Sequence, residues 1–429
     1  MLKILKAAWL NIRNEKRLRI ILYLFLFTTL SGAIRKWVVS SNVLSNAILG
    51  IQLLIPFIFI FFKDAFKFNG RQQNLFVVLV LYIFSLFLLA ANPLGATLGH
   101  GLLGILVHLG FWLPMFIYLK DRAHYPIEKL IPFFIVICLA QVILASIQSQ
   151  LPPDAFINRY ATDYNNGAAD ALVGNAVRVT GTFSYISGYG SFMLFYTLVA
   201  CALIKIRYQP FVLVPFLALG YYGALISGSR GTTYSYLIIV GLFILTSVNL
   251  KANAKLIGGT LLVVLVLGIL NFVTNDPLHI YQKFEDSSNN FNERVNGTDD
   301  NTKGRVMGAI DEVIYLNYAH DLFGAGLGST YQGANALFGN NPNLDGQGYE
   351  TEPKRVILEG GYFLLILRLV MLFYLILNLK GNFFFKAAIV VLSIFVFSII
   401  YNTYNCFYLL LGLMLLDRID NQEGTYKLI

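Results

Sequence analysis

The sequence predicts an all-α integral membrane protein of about twelve transmembrane helices. Three observations predict it. First, only 13% of the 429 residues are charged and 57% are hydrophobic, with a mean hydropathy of +0.64; soluble globular chains carry roughly 25% charged residues. Second, apolar runs close to the roughly 20 residues that a helix needs to cross the hydrocarbon core recur along the whole chain. Third, lysine and arginine gather in every second connection between those runs, as the positive-inside rule requires. The net charge of +9 thus serves orientation, and nucleic acid is not an expected partner.

Taken in order, "MLKILKAAWLNIRNEKRLR" places Leu2, Leu5, Trp9 and Ile12 at helical spacing among basic residues. That pattern predicts an amphipathic helix on the cytoplasmic surface, and no small-residue cleavage site marks a signal peptide. Spans are expected at 18–34, 44–62, 75–91, 100–119, 129–148, 184–204, 211–226, 232–248, 256–273, 355–379, 386–401 and 403–416. The arm before the first span is basic. So are the connections holding Lys63, Lys67 and Arg71, then Lys120, Arg122 and Lys129, then Lys205 and Arg207. Lys251 and Lys255, Lys380 and Lys386, and the tail with Arg418 and Lys427 continue the alternation. The short connections between them, such as "NPLGATLGH" and "YNTYNCF", carry no lysine or arginine. Both termini are therefore expected in the cytoplasm, with the whole chain, 1–429, as a single polytopic membrane domain. Two long connections, 149–183 and 274–354, face the external side, and Val306, Ala309, Ile310, Val313 and Leu316 predict an amphipathic helix over 304–318.

Cys138, Cys201 and Cys406 lie in or beside apolar runs without a CxxC partner and read as small buried hydrophobes. No HxxxH, HExxH or well-placed carboxylate pair occurs, so no metal site and no cofactor are expected. The glycines of "FGAGLGS" read as a tight, close-packed turn, because no strand–helix unit surrounds them as a dinucleotide site requires.

The external side gathers arginines instead. Arg230, in "LISGSRGTTYSYL", has small polar neighbours that leave room for a ligand; it either snorkels to the interface or binds a phosphate, which a guanidinium does bidentately. Arg178 stands before the sixth span. Arg305 opens the amphipathic helix, where a cation opposes the helix dipole, so it either reaches for an anion or is simply solvated. Glu350, Glu352, Arg355 and Glu359 crowd the start of the tenth span. Arg355 and Glu359, four apart, either pair along the helix or leave a carboxylate as a general base. Arg368, deeper in that span, is costly in lipid and belongs in the bundle interior or against a partner.

In order and spacing, "RVTGTF", "SGSRG", "GRVMGAIDEV…HDLFGAGLGS" and "LEGGYF" together resemble the O-antigen ligase and Wzy-type polysaccharide polymerase superfamily. The likeness covers the second half of the chain well and the first five spans by topology only. It implies a GT-C-like helical bundle in a bacterial cytoplasmic membrane, with a long external loop between spans 9 and 10. It also implies an inverting, metal-independent glycosyltransferase that acts on the external face. A glycan would leave an undecaprenyl-diphosphate carrier for a hydroxyl of another lipid-linked repeat unit in a polymerase, or of lipid A–core in a ligase. The lipid bilayer, the carrier-linked oligosaccharide and a chain-length regulator protein are the implied partners. On this reading Arg178, Arg230, Arg305 and Arg355 are the diphosphate ligands. Many relatives offer a histidine near the end of the loop; "YETEPKRVILEGG" has none, so His320, Glu350, Glu352 and Glu359 stand as general-base candidates. The Asn-, Tyr- and Gly-rich external loops favour the polymerase. A transporter or flippase is the reading from another class, although no repeat relates the two halves.

Overall fold

The computed structural model describes residues 2–67, 73–161, 166–167, 172–173, 176–247, 285, 288–289, 292, 308, 310–316, 318–349 and 351–421. The expected span at 256–273 and the residues Arg305 and Glu350 lie outside them. Every other expected run falls on a helix. Among the described residues, seven helical segments are long and apolar enough to cross a membrane, and Pro210–Ile226, Arg230–Thr246 and Phe383–Phe397 are shorter apolar helices. This is an all-α, membrane-type fold.

Helix α1 (Leu2–Ile12) buries Ile12 and Ala8, whereas Trp9, expected on the same face as Ile12, is exposed together with Leu10. Next come α2 (Lys16–Ala33), α3 (Asn42–Leu54) and α4 (Gln73–Ala90). Helix α2 runs on as a wider turn to Val38, which carries Arg35 and Lys36. Helix α5 (Leu98–Lys120) starts where the Thr97 hydroxyl accepts from the His100 amide, capping one of its free N–H groups. Proline in the first turn, where no amide donor is lost, opens α6 (Ile131–Gln150) and α8 (Pro210–Ile226). Between α6 and α7 (Ile186–Lys205) lie two short antiparallel ladders, Tyr160–Ala161 with Asn166–Gly167 and Leu172–Val173 with Ala176–Val177. Helix α9 (Arg230–Ser247) follows, then the short α10 (Gln332–Phe338), α11 (Glu352–Asn378), α12 (Phe383–Leu392) and α13 (Thr403–Asn421). The amphipathic helix expected at 304–318 is seen as helix over 310–314.

One continuous core runs from Ile12 to Ile419. Helix α7 is its axis: 94% of its apolar window is buried, against 22% for α4. The outer face of α4 accordingly presents Phe76, Val80, Leu81, Phe84 and Phe87 outward, a surface that suits lipid rather than water. Around α7, Phe25, Phe134, Phe195 and Tyr408 meet at 4.9–5.9 Å, several edge to face, the geometry that aromatic quadrupoles favour.

At the end of the bundle where α1 lies and α13 ends, ion pairs tie helix ends together. Arg17 reaches Asp121 at 3.2 Å, Arg122 reaches Asp417 at 3.3 Å and Lys205 reaches Asp420 at 3.0 Å. Arg418 grips Glu128 through two nitrogens at 3.1 and 3.2 Å, the stronger bidentate form. Much of the basic charge in these connections fastens helix ends.

Candidate functional site

The opposite end of the bundle opens into a polar cavity of about 690 Å³. Its wall draws on widely separated stretches of sequence: Arg35 beyond α2, Ser184–Ser187 before α7, Tyr331–Asn335 at α10, Thr351–Arg355 at α11, the 394–398 turn after α12, and Tyr401–Tyr404 before and into α13. Aromatic and amide side chains dominate, the groups that stack on sugar faces and bond sugar hydroxyls.

Two arginines belong to it. Arg35 is 3% exposed; its Nε donates to Ser45 Oγ and its Nη1 to Ser184 Oγ, both at 2.9 Å. Ser184 Oγ in turn lies 3.1 Å from the Tyr404 hydroxyl. The Ser45 and Ser184 hydroxyls thus hold the guanidinium in place at the cavity wall. Arg355 donates from Nε to the Tyr349 carbonyl at 3.3 Å and lies 5.4 and 4.9 Å from the Tyr349 and Tyr401 ring centroids. Tyrosine faces orient a cation without neutralising it. Of the two readings of the Arg355–Glu359 spacing, the helical pair is not the one seen: Glu359 bonds His108 and Thr330 instead.

Just beyond Glu359, α11 is broken. Gly361 sits at φ 67°, ψ −172°, a region open essentially to glycine alone. The helix interrupts there, and the glycine turn fills the gap. The amides of Ala325 and Gly326 donate to the carbonyls of Leu358 and Glu359, while the amides of Tyr362 and Phe363 donate to those of Asp321 and Leu322. "HDLFGAGLGS" is thus a close-packed turn that takes up the hydrogen bonds of a broken helix. Glu359, on the last turn before the break, is fully buried. One oxygen accepts from the Thr330 amide and hydroxyl at 2.9 and 2.6 Å, the other from His108 Nε2 at 3.0 Å. It clamps the turn to α5 and is not among the residues that line the cavity.

Glu352 does line the cavity, but its oxygens are occupied. Oε1 takes 2.6 Å from Arg368 Nη2; Oε2 accepts from Ser398 Oγ at 2.7 Å and from the amides of Ile399 and Ile400. Arg368 thus sits in the bundle interior, as its depth in the span predicts. The pair fixes the 398–401 turn, where Ser398 holds φ 60°, and so fixes Tyr401 and Asn402 in the cavity wall.

The remaining candidates lie elsewhere. Arg230 begins α9 and is 8% exposed; a Cβ on the following Gly231 would meet Val396, which lines the cavity. Its small polar neighbours serve helix ends: Ser227 Oγ donates to the Ala224 carbonyl and accepts from the Ser229 amide, and Thr233 Oγ1 donates to the Ala224 carbonyl. Arg178 is half-buried before α7, and its carbonyl accepts from the Tyr160 hydroxyl at 2.6 Å. His320 starts the glycine turn beside Tyr318, ring centroids 5.6 Å apart, where burial pushes the Tyr318 phenol up. None of these three is a lining residue of the cavity.

Arg35 is the residue that sequence reasoning missed. Its signal was present: "AIRKWV" puts two basic residues at the far end of the first span, against the charge alternation. Its neighbour Lys36 donates to Thr180 Oγ1 at 2.9 Å and the Gly181 carbonyl at 2.7 Å. Gln148 Oε1 meanwhile accepts from the amides of Thr180 and Gly181. These bonds fold "RVTGTF" against α2 and α6 and set Ser184 beside Arg35.

Comparison with family models, curated proteins and solved structures finds no match in any of the three.

Proposed function

We propose that this chain is a membrane glycosyltransferase that lengthens a surface polysaccharide, moving a glycan from an undecaprenyl-diphosphate carrier to a hydroxyl of another lipid-linked repeat unit. The observation that carries the reading is the cavity itself: Arg35 and Arg355 beside tyrosines and amides, at the end of the bundle away from the basic helix ends. On this proposal the cavity opens on the external face, both termini are cytoplasmic, and the twelve-span topology places the long loop between spans 9 and 10.

In the reaction, the acceptor oxygen bonds to the anomeric carbon as the bond from that carbon to the diphosphate oxygen breaks. The bonding pair leaves with the diphosphate, and the hydroxyl proton passes to a base on the acceptor side. Charge grows on the diphosphate as it departs. Guanidiniums fixed before the reaction stabilise that growth more than they stabilise the ground state. Arg35 and Arg355 are the two that line the cavity; Glu352, with every oxygen engaged, positions the wall rather than taking the proton.

The test uses purified chain in proteoliposomes with carrier-linked repeat units. Arg35→Ala and Arg355→Ala should each cut chain lengthening about 100-fold, the usual loss when one preorganised charge-stabilising donor is removed. Wild-type lengthening by both variants would overturn the proposal. Transfer to a lipid A–core acceptor alone would make the chain a ligase, and net translocation without lengthening would make it a flippase.

A further inference from the structure

A second cavity, of about 940 Å³, lies at the other end of the bundle, among the ion-paired helix ends. We infer that it binds an anionic glycerophospholipid of the surrounding bilayer, with the phosphate at Lys16 and Lys63 and an acyl chain along Ile20, Ile58 and Phe61.

Charge is the first argument. Five lysines and arginines line the cavity, against two glutamates. Three of these cations are already engaged: Arg17 by Asp121, Lys129 by Glu15 at 3.0 Å, and Arg418 by Glu128. Lys16 and Lys63 make no ion pair among the described residues, so two ammonium groups face the cavity with charge to spare. Lys16 also opens α2, whose first-turn amides favour an anion.

The walls are the second argument. Beside these lysines stand Ile20, Ile58 and Phe61, and Phe61 is 84% exposed. A free phosphate has no use for such a wall; an acyl chain does. Depth is the third. Trp9 on α1 and Tyr23 on α2 are both partly exposed, with ring centroids 6.5 Å apart, and amphipathic aromatics of this kind mark the headgroup level of a bilayer. On this inference the cavity lies at headgroup depth, with its apolar lip toward the acyl chains.

Native mass spectrometry tests the inference. Detergent-purified full chain is offered equal phosphatidylglycerol and phosphatidylcholine, with and without excess inorganic phosphate. Wild type should retain phosphatidylglycerol preferentially. Lys16→Ala and Lys63→Ala should each weaken that retention roughly fivefold, as expected for one basic residue at an anionic lipid surface. Phe61→Ser should weaken it too, and inorganic phosphate should not displace the lipid. Each variant is checked for an unchanged melting profile, because all three side chains are exposed and none holds the core. Equal retention of both lipids by wild type, or unchanged retention by the folded lysine double variant, overturns the inference. Displacement by phosphate with no effect of Phe61→Ser also overturns it, in favour of a site for free anions.

Discussion

At the scale of single residues, the difference between a buried charge that works and one that holds is set by its partners. At the cavity wall, Arg35 is oriented by the Ser45 and Ser184 hydroxyls, and Arg355 by a carbonyl and two tyrosine faces. Arg368 and Glu352 neutralise each other in the interior at 2.6 Å. Substitution separates the two kinds. Arg35→Lys should keep the fold but lose most of the activity, since lysine lacks the planar fork that spans Ser45, Ser184 and a phosphate together. Normal melting with normal activity would remove Arg35 from the site. Arg368→Met should instead destabilise by about 3–5 kcal/mol, because it strands the Glu352 carboxylate in the interior. Thermal unfolding in detergent reads that loss, and restoration by a Glu352→Gln second change would show that the stranded charge causes it.

At the scale of elements, the break in α11 gives the glycine turn its seat. Arg355 and Glu359 both precede Gly361 on one helical stretch. Glu359 bonds His108 on α5 and Thr330, which follows the glycine turn. A Cβ on Gly361 would run into the Leu322 carbonyl, and its backbone conformation costs a non-glycine residue about 1–3 kcal/mol before that clash is counted. Gly361→Ala should therefore lower stability by at least that much and reduce activity, measured as melting temperature and chain lengthening; a neutral outcome would mean that the break is dispensable. Hydropathy made the helices legible, because lipid demands long apolar runs. It could not reveal this break, since "LEGGYF" is apolar on both sides and the hydrogen bonds that permit the break come from residues 321–326. The glycines did announce a tight turn; which helix the turn would complete depends on contacts remote in sequence.

At the scale of the whole molecule, the chain is polarised. One end is stitched by ion pairs, and the other opens into a cavity of tyrosines, amides and two arginines. The charge alternation made this polarity readable from sequence. It did not show which arginines converge. Arg178 and Arg230 sit on the expected end, yet the first anchors a loop through its carbonyl and the second is not a lining residue, whereas Arg35 arrives from the first span by the folding of "RVTGTF" onto α2 and α6. The polarity has its own test. The three native cysteines are buried, so single cysteines at Lys63 and Asn402 can be labelled selectively in whole cells with a membrane-impermeant maleimide. Only the Asn402→Cys protein should react from outside; reaction of Lys63→Cys from outside would invert the topology. The account as a whole rests on the carrier diphosphate seated between Arg35 and Arg355. A cryo-EM map of the chain in nanodiscs with a non-transferable carrier-linked saccharide tests that most directly. Diphosphate density in contact with both guanidiniums is the expected result; density placed instead at Arg178 or Arg230, with the cavity empty, would contradict it.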